Sequence, residues 1–516
     1  MKLFLTLLIS CFYFVVIAQV PEPTMLWLKG FSGNSNIAPL VTPQIDGGFI
    51  IAISANISGG NIDSFCSLNS DRTIFLKYNS DATVLEWSKC YHNSFADSGF
   101  GCMFLTPDGG FILGGIGNGT THEFLIHKEN ATGMTLWSKT YGDGAEAILE
   151  SMIATKDGGY IMVGEISYTD TDFTIHYGSW ADPDIAVLKV DSNGNKVWSK
   201  VIGGSLGANG TTIISAPGNG CYIVGTTSSN DYDCTGNHGG DDVYVVRLDS
   251  NGNIVWHDDI GGSGGDQGNY AFTDDKGGVI IAGASNSLDG DRTVFPSYGC
   301  PVWALEVDSN KHIIWNNCFG GGGSNCYPNA VCKSTDGSIW IAGVSTLKGG
   351  QVDTAYGKDD ALFIHIDSGG NFINAKVLGS DLSDRGMMVY PLSNGNVIVG
   401  GFYDTAGGTF SKIIWYNGSD AFLTIFAPWS TGVSKIKILK NIIEVYPNPS
   451  TDEIIISAKQ IGNYDVIITN VLGEEIYKSN LIDKIKVKVK EWRKTIYYVE
   501  VINEDGNKEI QKLIVQ

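Results

Sequence analysis

The amino-acid sequence predicts an all-β protein, a seven-bladed β-propeller followed by a small Ig-like β-sandwich. Three observations carry this prediction. A tight glycine turn opening a short apolar strand recurs seven times: DGGFIIAI at 46–53, DGGFILGG at 108–115, DGGYIMVG at 157–164, GNGCYIVG at 218–225, KGGVIIAG at 276–283, DGSIWIAG at 336–343 and NGNVIVGG at 394–401. The copies start 62, 49, 61, 58, 60 and 58 residues apart, a period expected of stacked or radially arranged modules. After Ala427 the pattern stops, and short alternating runs such as IIEVYPNPSTDEIIIS at 442–457 take over.

Each module reads as four strands. Strand A precedes the glycine turn and strand B follows it. Strand C ends in an Asp-rich turn, as in DIAVLKVDSNGN at 184–195, and strand D carries a Trp and runs into glycines, as in KVWSKVIGG at 196–204. Gly, Asn and Asp in the turns supply the positive φ that tight hairpins require. Alternation within the strands is imperfect, as expected when neighbouring sheets cover both faces. One D-type strand, MLWLKGFSG at 25–33, precedes the first set, while the last set (MMVYPLS, VIVGGFY, SKIIWYN) lacks one. The Trp27 strand is therefore expected to close the seventh blade, with AFLTIFA at 421–427 as the alternative. The expected divisions are a signal peptide at 1–18, the propeller at 19–427, a linker at 428–441 and the C-terminal module at 442–516.

The net charge of −21 is uneven: residues 437–516 hold 12 basic and 12 acidic side chains, so 1–436 hold 34 − 12 = 22 against 55 − 12 = 43. Such a surface repels phosphate backbones and excludes nucleic acid as a partner. Lys2, the apolar run from Leu3 to Ile17 and Ala18-Gln19 read as an export signal cleaved after Ala18. The stretch Leu8 to Cys11 resembles a lipoprotein box, but the apolar FYFVV after Cys11 argues against a tethered mature end. No later segment is apolar enough to span a bilayer. Nine cysteines follow the signal, and Cys221 with Cys234 and Cys318 with Cys326 are candidate local pairs.

A–B and C–D turns are uniformly short, whereas the B–C loops at 165–183, 226–241, 284–301 and 344–359 are long and dissimilar. Up-and-down strands put these loops at one end, which predicts a single recognition face for a glycan or protein ligand. The loops hold acidic clusters at Asp231 and Asp233, Asp241 and Asp242, Asp289 and Asp291, and Asp359 and Asp360. Carboxylates so grouped either cap turns or hold calcium, the one cofactor the chain suggests. Ser334 to Trp340 has the flavour of a sialidase Asp box in the wrong register, and His127 and His365 read as equivalent, packed positions of C strands. No nucleophile, zinc or paired-carboxylate motif stands out, so no catalytic residue is expected.

The strand order of 25–420 resembles kelch-like propellers. Segments like SNDYDCTGNHGGDDVYVVRLDSNGNIVWHDDIGGSGGDQ at 229–267 resemble secreted repeat proteins of the Bacteroidetes type. In the C-terminal module, Tyr446-Pro447-Asn448-Pro449, Asn470-Val471-Leu472-Gly473 and Lys512-Leu513-Ile514-Val515 resemble the sorting domain of type IX secretion substrates. Lys494 to Tyr497 departs from that family, which usually has a Gly before the Tyr. The resemblance implies Sec export, handling by the type IX machinery and a secreted or outer-surface location. The expected function is a noncatalytic binding or adhesion scaffold; the alternative is a secreted glycan-active hydrolase or lyase on the same scaffold.

Overall fold

The computed structural model describes residues 25–427 and 443–516, apart from 32–39, 44–47, 56–71, 80–82, 93–94, 107, 118–120, 131–133, 296–301, 321–326, 347–349, 353, 393–394, 406, 412–418, 460–461, 471–474 and 504–507. The expected signal peptide, the linker and Gly473 of the sorting signature lie outside the described residues. Two compact units hold the remainder, 25–427 and 443–516.

Within 25–427 every module forms one four-stranded antiparallel sheet in the order A-B-C-D. Sheets 1 and 2 span 40–92 and 95–141, and sheet 6 spans 328–378. Sheet 3 comprises Ile148–Ala154, Tyr160–Ile166, Asp184–Val190 and Lys196–Ile202. Sheet 4 comprises Ala208–Ser215, Cys221–Thr227, Asp242–Leu248 and Ile254–Ile260; sheet 5 comprises Asp266–Thr273, Val279–Ser285, Val302–Val307 and Ile313–Phe319. The B and C strands are almost wholly buried, because apolar clusters fill the space on both of their faces.

Sheet 7 consists of Asp384–Pro391, Val397–Tyr403, Asp420–Phe426 and, as its outer strand, Met25–Phe31. The Trp27 strand thus occupies the expected place, with Lys29 opposite Leu423. The C strand differs from expectation: Asp420–Phe426 pairs with Val397–Tyr403, not the SKIIWYN segment. Its opening Asp420 is the reason, since the C strands of sheets 3, 4 and 6 also open on a buried Asp. Phe31, Met388, Ile398 and Leu423 of sheet 7 share a core with Phe49, Ile51, Ile74 and Leu76 of sheet 1. Lys29 Nζ also donates to Tyr78 Oη across that seam at 3.0 Å. Successive sheets pack on one another and the last packs on the first, a propeller-like arrangement.

The A strands meet at the centre. From sheet 2 to sheet 7 each A strand shifts register at the same place, leaving Gly101, Glu150, Thr211, Asn269, Asn329 and Met387 as the extra residues. A bulge turns its extra residue out of the ladder, so that residue can serve a neighbour. Thr211 Oγ1 donates to Gly268 O at 2.9 Å and Asn329 Nδ2 donates to Gly386 O at 2.9 Å, each stitching one sheet to the next.

The C–D turns follow one plan. Asp191 Oδ1 accepts the N–H of Asn193 and Asn195, Asp249 Oδ1 those of Asn251 and Asn253, and Asp308 Oδ1 those of Asn310 and His312. This is the mechanism that selects Asp at such turns.

Cys90 and Cys318 are disulfide-bonded, and Cys326 lies outside the described residues. Cys221 and Cys234, expected as a pair, are both free buried thiols. Cys221 opens its B strand, whereas Cys234 packs on Thr227 at the far end of that strand. Six residues of extended chain separate the two places by roughly 20 Å, and a disulfide requires Cα atoms within about 7 Å.

Residues 443–516 form a three-stranded sheet (Ile443–Tyr446, Glu453–Ala458, Lys484–Lys488) and a four-stranded sheet (Glu475–Leu481, Tyr464–Asn470, Ile496–Asn503, Lys508–Ile514). Both contribute to one core that includes Ile454, Ile456, Val466, Ile468, Val499 and Leu513.

Candidate functional site

The long loops are anchored by the buried aspartates that open the C strands. Asp184 Oδ2 accepts the Tyr177 N–H at 2.6 Å, Asp242 Oδ2 the His238 N–H at 2.7 Å, and Asp360 Oδ2 the Tyr356 N–H at 2.8 Å. Each carboxylate therefore pulls its own loop back onto the sheet. Burial raises all three carboxyls above their ordinary range. The glycine that follows each D strand lies against the same carboxylate. A Cβ on Gly203, Gly261 or Gly379 would stand 1.7, 2.3 or 1.9 Å from Oδ1 of Asp184, Asp242 or Asp360. The recurrent glycine after the Trp strand exists because no side chain fits there.

The loops also rest on the connections between sheets. The Ser205 N–H donates to Asp231 Oδ1 at 2.8 Å and the Leu206 N–H to Ser229 Oγ at 2.8 Å. One module on, the Ser263 N–H donates to Asp289 Oδ1 at 2.7 Å, the Gly264 N–H to Ser287 Oγ at 2.9 Å and the Gly261 N–H to Asp291 Oδ2 at 3.1 Å. Asp241 Oδ1 accepts from Ser228 Oγ, the Asp233 carbonyl accepts from Tyr244 Oη, and the Asp359 carbonyl accepts the Asp384 N–H at 2.7 Å. The carboxylates of Asp231, Asp241, Asp289 and Asp291 thus cap backbone amides and a loop hydroxyl, whereas Asp233 and Asp359 accept through their main-chain carbonyls. Among the described residues, no three His, Cys, Asp or Glu side chains converge in a way that could hold a metal ion.

Loops and A strands together enclose a cavity of about 350 Å³ between sheets 3, 4 and 5. Its floor is built from Asn209, Thr211, Gln267 and Asn269 of two A strands, and its wall from Thr226 and Ser228. Asp182 and Asp241 are its charged groups, and among the described residues no Lys, Arg, His or Tyr lines it. Asn269 Oδ1 is buried there without a hydrogen-bond partner. Leu206 and the segment Ala181–Pro183 form the rim, and the residue just before that segment, Trp180, is 71% exposed. Tyr232, 65% exposed, packs against Tyr177 in a tilted pair with ring centroids 4.9 Å apart. The sequence pointed to the loops but not to the A-strand residues, which belong to no motif. The signal that could have revealed them is the Gly before the bulge in Gly210-Thr211, Gly268-Asn269 and Gly386-Met387.

A hydrolase-like grouping lies in sheet 6. His365 Nε2 is 2.7 Å from Ser338 Oγ, and Ser338 Oγ donates to Asp336 Oδ1 at 2.6 Å. The carboxylate faces the serine, whereas a catalytic triad needs it on the other imidazole nitrogen. Burial pushes the imidazole down to about 4, so it stays neutral. The same C-strand position in sheets 2 and 3 carries Lys128 and Lys189, which reach Asp108 and Asp157 of their own A–B turns at 3.2 and 2.9 Å. His365 is therefore a variant of a strut. His127 is not its equivalent, as the sequence suggested: it pairs with the third B-strand residue, Leu113, whereas His365 pairs with the second, Trp340. The similar strings FLIH and LFIH conceal a one-residue offset.

In the C-terminal unit the sorting residues meet. Asn448 Nδ2 donates to Lys512 O at 2.6 Å, and the Ile514 N–H returns a bond to Asn448 Oδ1 at 2.9 Å. Ser450 continues the clamp by pairing with Val515. Tyr446 is exposed, and both proline bonds of Tyr446-Pro447-Asn448-Pro449 are cis. The profile of the secretion system C-terminal sorting domain matches residues 444–516, the span this clamp holds together. The protein is exported. Its tail directs it through type IX secretion to the cell surface or the extracellular space.

A further similarity is to an endo-acting ulvan lyase of Formosa agariphila, 31% identical over 133 residues, 25% of this chain. That match spans 23% of the lyase's own length. Among solved structures, the Pan2 WD40 domain of Neurospora crassa aligns over 78% of this chain and 94% of its own at 10% identity, with a TM-score of 0.43. Virginiamycin B lyase of Staphylococcus aureus aligns over 77% of this chain and 99% of its own at 10% identity, with a TM-score of 0.42. No helix among the described residues is long and apolar enough to cross a membrane.

Proposed function

We propose that residues 19–427 are a seven-bladed β-propeller that binds a glycan on its loop-bearing end without chemical turnover, and that 442–516 is an Ig-like domain that delivers it. The observation that carries this reading is the polar cavity at the end where the long loops gather. Rigid strands supply its floor and variable loops its rim, the usual division between scaffold and recognition. A shallow polar cavity beside an exposed indole suits a ring bearing both hydroxyls and C–H faces. The signal peptide at 1–18 and the linker at 428–441 complete the proposed plan. Calcium is not needed by this reading, since the carboxylates of Asp231, Asp241, Asp242, Asp289, Asp291 and Asp360 already accept backbone amides or hydroxyls.

The second reading, a glycan-active enzyme, is favoured by the similarity to the ulvan lyase. It would assign acid–base work to Asp182 and Asp241, the ionisable side chains in the cavity. A glycan array followed by a product assay on every bound glycan separates the two. Binding with no release of reducing ends or unsaturated sugars is expected, and turnover abolished by Asp241→Asn would establish the enzyme instead. Replacing loops 165–183 and 226–241 with short turns should remove binding; retention of all binding would overturn the assignment of the face.

A further inference from the structure

The cavity between sheets 3, 4 and 5 carries a charge selection, and from it we infer that its ligand is an uncharged glycan, with sulfated and uronic-acid polymers excluded. The inference rests on the reading of this face as a glycan-binding surface and specifies the class of ligand. A sulfate or carboxylate presents acceptors only, so a site for it needs donors, usually Arg or Lys. Among the described residues the cavity offers none of these cations. Its acidic groups, Asp182 and Asp241, present carboxyl oxygens as acceptors, and these already take the hydroxyls of Ser179 and Ser228. A neutral sugar hydroxyl donates and accepts at once, which matches this set together with the amides and hydroxyls of Asn209, Gln267 and Thr226. The surrounding chain strengthens the selection, since residues 1–436 hold 43 acidic against 22 basic side chains.

The test is affinity electrophoresis of the full chain at low ionic strength in gels containing laminarin, galactomannan or xyloglucan, each run beside its own sulfated derivative. At least one neutral polymer is expected to retard the protein, with an apparent affinity roughly tenfold or more above that for its sulfated form. Asn269→Ala with Gln267→Ala should abolish the retardation, and Asp182→Asn with Asp241→Asn should narrow the neutral-to-sulfated gap. Trp180→Ala removes an exposed residue adjoining the rim segment Ala181–Pro183 without disturbing the core, so its loss of retardation reports binding even where an inner-strand variant fails to fold. Sulfated polymers binding as well as their parents, with the Trp180 variant impaired, would overturn the charge selection and leave the loop face intact as a site. Retardation by none of the polymers would sink both the selection and the glycan reading. Neutral binding that persists in every variant would place the ligand elsewhere and refute the proposal.

Discussion

Asp384 shows how single groups in this fold respond to acidity. It opens the A strand of sheet 7, fully buried, and its Oδ2 accepts the N–H and the Oγ–H of Ser380 at 2.5 and 2.7 Å. Burial, reinforced by Asp360 nearby, lifts its carboxyl to about 7 from the ordinary 3.8. Between those two values the folded state holds a proton that the unfolded chain releases, so stability falls as pH rises. Asp384→Asn should therefore lose less stability than the native protein between pH 5 and pH 8, by on the order of 2 kcal/mol. Denaturant titrations at the two pH values check it, and parallel losses in both proteins would show that the group does not titrate as stated. The turn residues Asp191, Asp249 and Asp308 have the opposite tendency. Hydrogen bonds from Asn195, Asn253 and His312 hold them below the usual range, so their contribution is present at neutral pH and lost in acid.

Between neighbouring strands, two repeated contacts define the module. One is the glycine against the loop-anchoring carboxylate. Gly203→Ala forces a methyl onto Asp184 Oδ1 and should cost roughly 2 kcal/mol or more, whereas Gly265→Ala, with open space at its Cβ, should be nearly silent. Thermal unfolding of the two variants distinguishes them; equal effects would deny the contact its role. The other is the strut from strand C to the A–B turn. Lys189, buried, donates to Thr155 Oγ1 at 2.6 Å and to Asp157 Oδ1 at 2.9 Å. Hydrogen bonds from Thr155 and Lys189 take the Asp157 carboxyl down to about 2. Because Asp157 faces solvent, screening trims the ion pair, and Lys189→Met should cost only about 1 kcal/mol, measured by denaturant midpoint. These contacts also explain what could be read from the sequence. The turns were legible because a backbone conformation selects Gly, Asn or Asp directly. The struts were not, because the position held by Lys128 and Lys189 is filled by a different chemistry in His365, and only register reveals the equivalence. The cavity floor was hidden for a related reason: a bulge breaks the period of two, so Thr211 and Asn269 looked like ordinary members of half-buried strands.

At the scale of the whole molecule, the seam between sheets 7 and 1 governs stability. Phe31 is buried there among residues of both sheets. Phe31→Ala should cost roughly 3–5 kcal/mol and expose the Met25–Phe31 strand to proteolysis before any other; cleavage beginning elsewhere would count against the seam as the weak point. For export a different contact is the one to test, the Asn448 clamp on the last strand. Asn448→Ala should leave more protein in the periplasm than the native chain does, as fractionation would show. The number and order of modules were legible because the glycine turns mark them. The identity of the last C strand was not, since SKIIWYN and AFLTIFA are both apolar and only the latter is preceded by the buried Asp420.

The first strand among the described residues, Met25–Phe31, has its hydrogen-bonding edge in Asp420–Phe426, almost four hundred positions downstream. During synthesis it waits without a companion until nearly the entire array has been made. A chain terminated prematurely can stack several modules yet never fasten the circle, and it would carry two naked β-edges open to aggregation or digestion.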